Sequence, residues 1–328
     1  MAEFPKRERG AALLTVLLLV AVMGVVAAAA LERLAFATRM TGNAGAIDQA
    51  RAYADAGVEI ARLRIGDLLA ARPGRTTLQG GWLGASQVLP MVGGVATARV
   101  TDGGNCFNLN SVVAGESESD LKVRPVAVTQ FQGLMQTLGI DARQAQVVAA
   151  SLTDWIDTDP VPQPGGAEDE TYGRAATPYR APNRFMVDAS ELRAVNGVTP
   201  GIYDLLRPWV CALPVNDLSP ININTMLPGQ APLLAMLLPG QLRVEQARQM
   251  LIRRPANGFS SVAEFWAMLA RTGLSPLSEV GQQVKLTTHW FGVEITVDVG
   301  GTQVIEKALI DARSVPVVVV RRHWGDVA

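Results

Sequence analysis

Apolar and polar positions divide this chain unevenly. From Ala11 to Leu31 no residue is charged, while Arg7, Glu8 and Arg9 stand just before the run and Glu32 and Arg33 just after it. At about 1.5 Å per residue, a helix of that length is about 30 Å long, the thickness of a bilayer's hydrocarbon core. Helical spacing then continues through Leu31, Leu34, Ala35, Ile47, Ala50, Tyr53, Ala54, Val58, Ala61 and Leu68. Opposite charges at three- and four-residue spacings, such as Arg51/Asp55 and Glu59/Arg62, mark the solvated face of this second half. Arg72-Pro73-Gly74 ends the helix by removing a donor and offering a turn.

Beyond it the period changes. Val95–Thr101 alternates as a strand, Asp102–Asn105 is a turn, and Cys106–Asn110 resumes extended structure. Near the other end, Leu286–Val299, Gln303–Ile310 and Val315–Arg322 are β-branched runs, with Gly300-Gly301 as a hairpin turn. Between these strand regions lies a long helical block, residues 112–284. Strands on both sides of such a block predict an α+β fold: a long N-terminal helix packed on a small antiparallel sheet, with a large α-domain inserted into it. Surface loops accept insertions of this kind at modest entropic cost.

Composition narrows the classes. A net charge of −1 gives no electrostatic footprint for nucleic acid or an anionic membrane surface. With 48% hydrophobic residues the chain folds, and two histidines and two cysteines leave little material for a zinc site. His289, in a strand pattern, and His323, near the C-terminus, read as incidental.

The densest acidic stretch follows the helical pattern of Asp141–Trp155. Asp154, Asp157, Asp159, Glu168, Asp169 and Glu170 sit on or beside a loop broken by Pro160, Pro162, Pro164, Gly165 and Gly166. Hard cations such as calcium take six to eight oxygens from irregular loops of this kind. Counted from Asp157, Asp159 is third and Glu168 twelfth, as in an EF-hand. Val161 is fifth, where a ligand is needed, and Pro162 is sixth, where glycine is needed, so the loop is not an EF-hand. On these residues alone a solvated acidic loop remains the other reading. A hydrolytic pair of carboxyl groups is a third, but no nucleophile elbow, phosphate loop or histidine metal motif accompanies it. No enzymatic activity is expected.

The apolar run has competing readings as well. A buried core helix would turn one face polar. A cleaved secretory signal could use Ala27–Ala30, but its apolar region usually spans only about 7–15 residues. The junction Arg9-Gly10-Ala11-Ala12-Leu13-Leu14-Thr15 resembles a type IV prepilin leader cut between Gly10 and Ala11. Pilins and pseudopilins usually carry Glu at the fifth mature position, here Thr15. A carboxylate in the bilayer centre costs about 2.5–3.5 kcal/mol on insertion scales unless it has a partner, and a subunit with no neighbour above it gains nothing from one.

Together with Asp-Trp-x-Asp-x-Asp at 154–159 and Gly-Gly-Ala-Glu-Asp at 165–169, these features resemble the K-type minor pseudopilin of type II secretion. The resemblance covers nearly the whole chain. It implies a leader at 1–10, a membrane-spanning segment at 11–31, helix and first strands over 32–111, the inserted α-domain over 112–284, and completing strands over 285–328. It implies calcium in the inserted domain, for which Asp157, Asp159, Glu168 and Asp169 are the favoured ligands. It also implies processing by a prepilin peptidase and an inner-membrane anchor with the body in the periplasm. The implied partners are the I- and J-type minor pseudopilins and the major pseudopilin, at the tip of a pseudopilus that serves protein export across the outer membrane.

Two segments read as helical hairpins: Ser190–Arg207, and Ile221–Arg253 continuing to Phe265. The second resembles a helix-hairpin-helix module, which in other proteins grips DNA phosphates, but Leu238-Pro239-Gly240-Gln241-Leu242 lacks the second hairpin glycine. It is read as a packing unit; a DNA-uptake or type IV pilus factor is the alternative. In a body outside the cytoplasm Cys106 and Cys211 could pair, contributing up to about 4.7 kcal/mol by closing a loop of roughly 100 residues, or remain as two buried thiols.

Overall fold

The computed structural model describes residues 6–271, 273–274 and 278–325. Residues 1–5 of the expected leader lie outside that range.

Helix α1, Lys6–Ala71, is continuous, and Gly10 and Ala11 lie within it. Its apolar part from Ala11 onward is fully exposed, with a mean hydropathy of 2.8 over its most apolar 18 residues. Further along, Ala50, Ala54, Val58, Ala61 and Ile65 are buried at 3.6-residue spacing, so only the second half of α1 faces a protein core.

That core is a five-stranded sheet: β1 Ser86–Met91, β2 Gly94–Asp102, β3 Trp290–Val299, β4 Thr302–Asp311 and β5 Val318–Trp324. Neighbours in space follow chain order, and every pair is antiparallel. Strand β3 presents Phe291, Val293, Ile295, Val297 and Val299 to the core that α1 shares. The helix comes close at Gly57, where an added Cβ would lie 3.0 Å from Ile295 Cγ2. Gly300 and Gly301, at φ +57° and +76°, make the β3–β4 turn. Strand β1 is an addition to the sequence reading; it is an edge strand with Pro90 and mostly exposed side chains, so it lacks the alternation that marks a half-buried strand.

The chain leaves the sheet after Asp102 and returns at Trp290, in register with it: Asp102 pairs with Phe291. The intervening residues fold around a second core. Helices α2 (Pro125–Thr137) and α3 (Ala142–Ile156) are joined through Gly139 at φ +94°. Pro125 starts α2 at its first position, where its missing amide N–H leaves no bond unmade. Short helices follow: α4 (Asp169–Tyr172), α5 (Pro200–Leu206), α6 (Ala231–Ala235), α7 (Val244–Ile252) and α8 (Val262–Ala270). In the hairpin-like segment Leu238 and Leu242 are buried in this core, as a packing unit requires.

The junction between the two cores is polar and buried. Asp102 Oδ1 accepts the amides of Gly104 (3.0 Å) and Asn105 (3.3 Å), and its Oδ2 accepts the hydroxyls of Thr225 and Thr288, both at 2.6 Å. Asn222 Nδ2 donates to Thr288 Oγ1 and to the Thr76 carbonyl, while its amide donates to Asn105. Both ends of the insertion and the loop after α1 therefore meet on one carboxylate and one amide side chain. Burial raises the Asp102 carboxyl above its ordinary range, against the four donors that hold it down.

Candidate metal centre

Asp154 and Asp157 occupy the last turn and the C-cap of α3. Three residues apart, they lie on one face. This is the unfavourable end of the helix for negative charge, because the macrodipole is negative there. The loop that follows is folded back by Asp154 itself. Its Oδ1 accepts the Gln163 amide at 2.9 Å, and its Oδ2 accepts the Ala167 amide at 2.7 Å. Gly165 takes φ +85°, and a Cβ on Gly166 would fall 1.9 Å from Asp154 Oδ2, so only glycine fits. Glu168 is thereby delivered at the N-cap of α4, with no capping bond from its side chain.

One carboxylate oxygen from each of Asp154, Asp157 and Glu168 lies within 4.8 Å of the others, and all three residues are buried. Both Asp157 oxygens and Glu168 Oε1 are inaccessible and have no hydrogen-bond partner. Burial first, then neighbouring carboxylates, raise Asp157 and Glu168 to about 7. Asp154 rises less, to about 6, because its two amide bonds favour the ionised form. Trp155, Tyr172 and Tyr179 wall this side, with Trp155 edge-on to Tyr172 at 5.2 Å.

Three buried acids without a cationic partner must either hold protons or hold a cation. Oxygen-only donors select a hard ion, and carboxylates gathered from a helix end and an irregular loop suit calcium's variable coordination better than the stricter octahedron of magnesium. The residues present fit calcium.

Of the favoured ligands, the structure brings Asp157 and Glu168 together, the first and twelfth positions of the incomplete EF-hand count. Asp159 and Asp169 are exposed and stand outside the trio. Asp159 accepts the Val161 amide at 3.0 Å, and Asp169 accepts the Ala181 amide at 3.0 Å with Arg180 at 3.9 Å. The residue that joins the trio is Asp154. Its spacing from Asp157 on a helical face was the available signal, obscured by its position inside an apolar helix.

Cys106 and Cys211 are joined by a disulfide, with their Cα atoms 5.8 Å apart, beside the short parallel pairing of Phe107–Asn108 with Val210–Cys211. It ties the start of the insertion to its middle. Backbone atoms anchor His289, whose carbonyl accepts the Ala312 amide; burial, then Lys285 and Arg313, lower its imidazole.

The family model described as type II secretion system (T2SS), protein K matches in two parts, residues 105–215 and 221–288. Type II secretion system protein K of Pectobacterium carotovorum is 35% identical over 323 residues, 97% of each chain. The chain belongs to the type II secretion system protein K family. Its counterpart in Klebsiella pneumoniae is 34% identical over 97% of each chain, and that of Pseudomonas aeruginosa is 33% identical, over 97% of this chain and 93% of the relative. Among solved structures, a chain of the GspK–GspI–GspJ complex from the enterotoxigenic Escherichia coli type 2 secretion system superposes with a TM-score of 0.75 at 28% identity. It covers 87% of this chain and 99% of its own. The first protein K match spans the carboxylate trio and the disulfide; the second spans the hairpin-like helices and Asn222.

Proposed function

We propose that this protein is a non-enzymatic minor pseudopilin that caps the type II secretion pseudopilus and so serves protein export across the outer membrane. The observation that carries this reading is α1 itself: an exposed apolar half continuous with a half that belongs to the sheet core. A single span so joined to its body is an assembly helix held in the inner membrane, with the body in the periplasm. The leader is removed between Gly10 and Ala11 by a prepilin peptidase. Thr15 supports the terminal position: its hydroxyl donates to the Ala12 carbonyl at 2.8 Å, so the side chain is satisfied within its own helix and asks nothing of a neighbour. The solved relative is a complex with two further subunits, which supports I- and J-type minor pseudopilins as partners, above the major pseudopilin.

Calcium, held by Asp154, Asp157 and Glu168, locks the loop 158–168 to α3 and keeps the inserted domain rigid. The ion supplies positive charge to a buried acidic site; the chain's own residues supply the oxygens and exclude bulk water. The role read here is structural: the ion offsets the mutual repulsion of three buried carboxylates and fixes the loop that carries Glu168.

The test is assembly. Co-expressed with I- and J-type subunits, the native chain co-purifies with both in equal amounts. Substitution Thr15→Glu leaves that complex intact but permits a further subunit above it. Failure of the native chain to retain either partner contradicts the tip reading.

A further inference from the structure

Helix α1 is clamped in two places, with an unsupported stretch between them. Residues 11–31 have the apolar length of a bilayer core, where a backbone amide that leaves its helix finds no water, so that part stays helical. At the other end Ala50, Ala54, Val58, Ala61 and Ile65 hold the helix on the sheet. Ala46 stands beside the β3–β4 turn, where a Cβ on Gly300 would lie 3.8 Å from its own Cβ. Residues 32–45 are all exposed. Thr38 lies about 10 Å past the last apolar residue of the span, beyond the hydrocarbon.

In that stretch the side chains work against the helix. Thr38, Thr41, Gly42, Asn43 and Gly45 are poor helix formers, and each glycine costs about fivefold in local helix stability relative to alanine. No charge stands between Arg39 and Asp48, so no ion pair at helical spacing offsets this. Thr38 Oγ1 donates to the Leu34 and Ala35 carbonyls, both at 3.0 Å, and Thr41 Oγ1 donates to the Ala37 carbonyl at 2.9 Å. Hydroxyls bonded back in this way compete for the carbonyls of the helical ladder and bend it. Packing within the chain does not require the glycines, because a Cβ on Gly42 or Gly45 would have no atom within 4 Å.

We propose that residues 38–46 are a hinge, at which the backbone ladder of α1 opens and the body turns relative to the span. A stiff helix of 66 residues would pass every tilt of the span on to the body. The hinge lets the span keep its orientation in lipid while the body takes the one its surroundings impose. This inference rests on the reading of residues 11–31 as a membrane anchor.

The experiment places the full-length chain, without partner subunits, in nanodiscs of phosphatidylethanolamine and phosphatidylglycerol. Hydrogen exchange of residues 39–46 is expected to be at least about tenfold faster than that of residues 52–65. Gly42→Ala combined with Gly45→Ala is expected to slow it by about 30-fold, the product of the two glycine costs. Spin labels on Leu18→Cys and Val92→Cys, both exposed positions, report how the span and the body are disposed; the native cysteines are paired and take no label. The distance distribution is expected to be broad in the native sequence and narrow in the double alanine variant. Gly66→Ala, equally uncrowded but on the clamped half, is expected to leave it broad. Exchange of 39–46 as slow as that of 52–65 overturns the hinge, as does a native distribution already narrow or one the alanine pair leaves unchanged. Rapid exchange across residues 14–30 instead overturns the anchor reading, and with it the fixed end that a hinge requires.

Discussion

Asp154 Oδ2 accepts the Ala167 amide at 2.7 Å, and that bond fixes where Glu168 stands relative to Asp157. Gly166 permits it, because a Cβ there would meet the same oxygen at 1.9 Å. Gly166→Ala is therefore expected to abolish the calcium-dependent rise in melting temperature while leaving the helices of the inserted domain formed. Thermal melts in calcium and in EGTA check this; a variant that keeps the native shift contradicts the geometry.

Asp157→Asn separates repulsion from ligation. Without calcium, the substitution removes one of three crowded carboxylates, so the variant should be at least as stable as the native chain. With calcium at about 100 times the native Kd, the native chain gains about 2.7 kcal/mol and the variant little of it. Denaturant unfolding with and without calcium reads both effects. Lower stability of the variant in EGTA would mean that Asp157 is held by contacts other than an ion.

The same groups set a pH dependence. In the folded chain without calcium Asp157 titrates at about 7, against 3.8 when unperturbed. A raised carboxyl pKa means that the folded state binds the proton more tightly, so this group's penalty is absent below about pH 4 and grows as pH rises toward 7. In EGTA the native chain should gain stability relative to Asp157→Asn as pH falls from 7.5 to 5, by up to about 1.4 kcal/mol per unit. With calcium the trend reverses, because protons compete for the ligand oxygens. Parallel pH profiles for native and variant chains in EGTA would refute the assignment.

At the junction of the two cores, Asp102 accepts hydroxyl bonds from both Thr225 and Thr288. Thr288→Val removes one of these donors, and also the group that pairs with Asn222 Nδ2. A cost of about 1–3 kcal/mol is expected, with faster proteolysis near residues 103–105 and 286–289 than elsewhere. Unchanged stability and cleavage would show that the insertion is held to the sheet by other means.

Reduction of the Cys106–Cys211 disulfide, which spans a sequence separation of 105, should lower the melting temperature, with up to about 4.7 kcal/mol at stake in the chain-entropy model. Thiol titration under denaturing, non-reducing conditions should find no free cysteine in protein from the native cell. Two free thiols and an unchanged melt would contradict the bridge.

What the chain disclosed on reading follows local pattern. The α1 period from Ala50 to Ala61 and the alternation of β2 survive because each reports one face of one element. The antiparallel sheet with an insertion followed from β-branched runs at both ends. Strand β1 was missed because an edge strand with exposed side chains has no such face. Asn222 and Asn224 open the segment read as the second helical hairpin, yet both are buried, and their partners, Thr76, Asn105 and the Phe259 backbone, are distant in sequence. Asp154 stands outside the favoured ligand set for a related reason. Its neighbours in sequence are apolar helix residues, and only the return of the loop onto its two oxygens brings it beside Glu168.

An assembly helix processed at its leader and retained in the membrane fixes the N-terminal sequence of the mature protein in its native cell, and Edman degradation reads it. The mature chain is expected to begin at Ala11 and to fractionate with the inner membrane. A chain beginning near Leu31 and recovered in the soluble periplasmic fraction would contradict it.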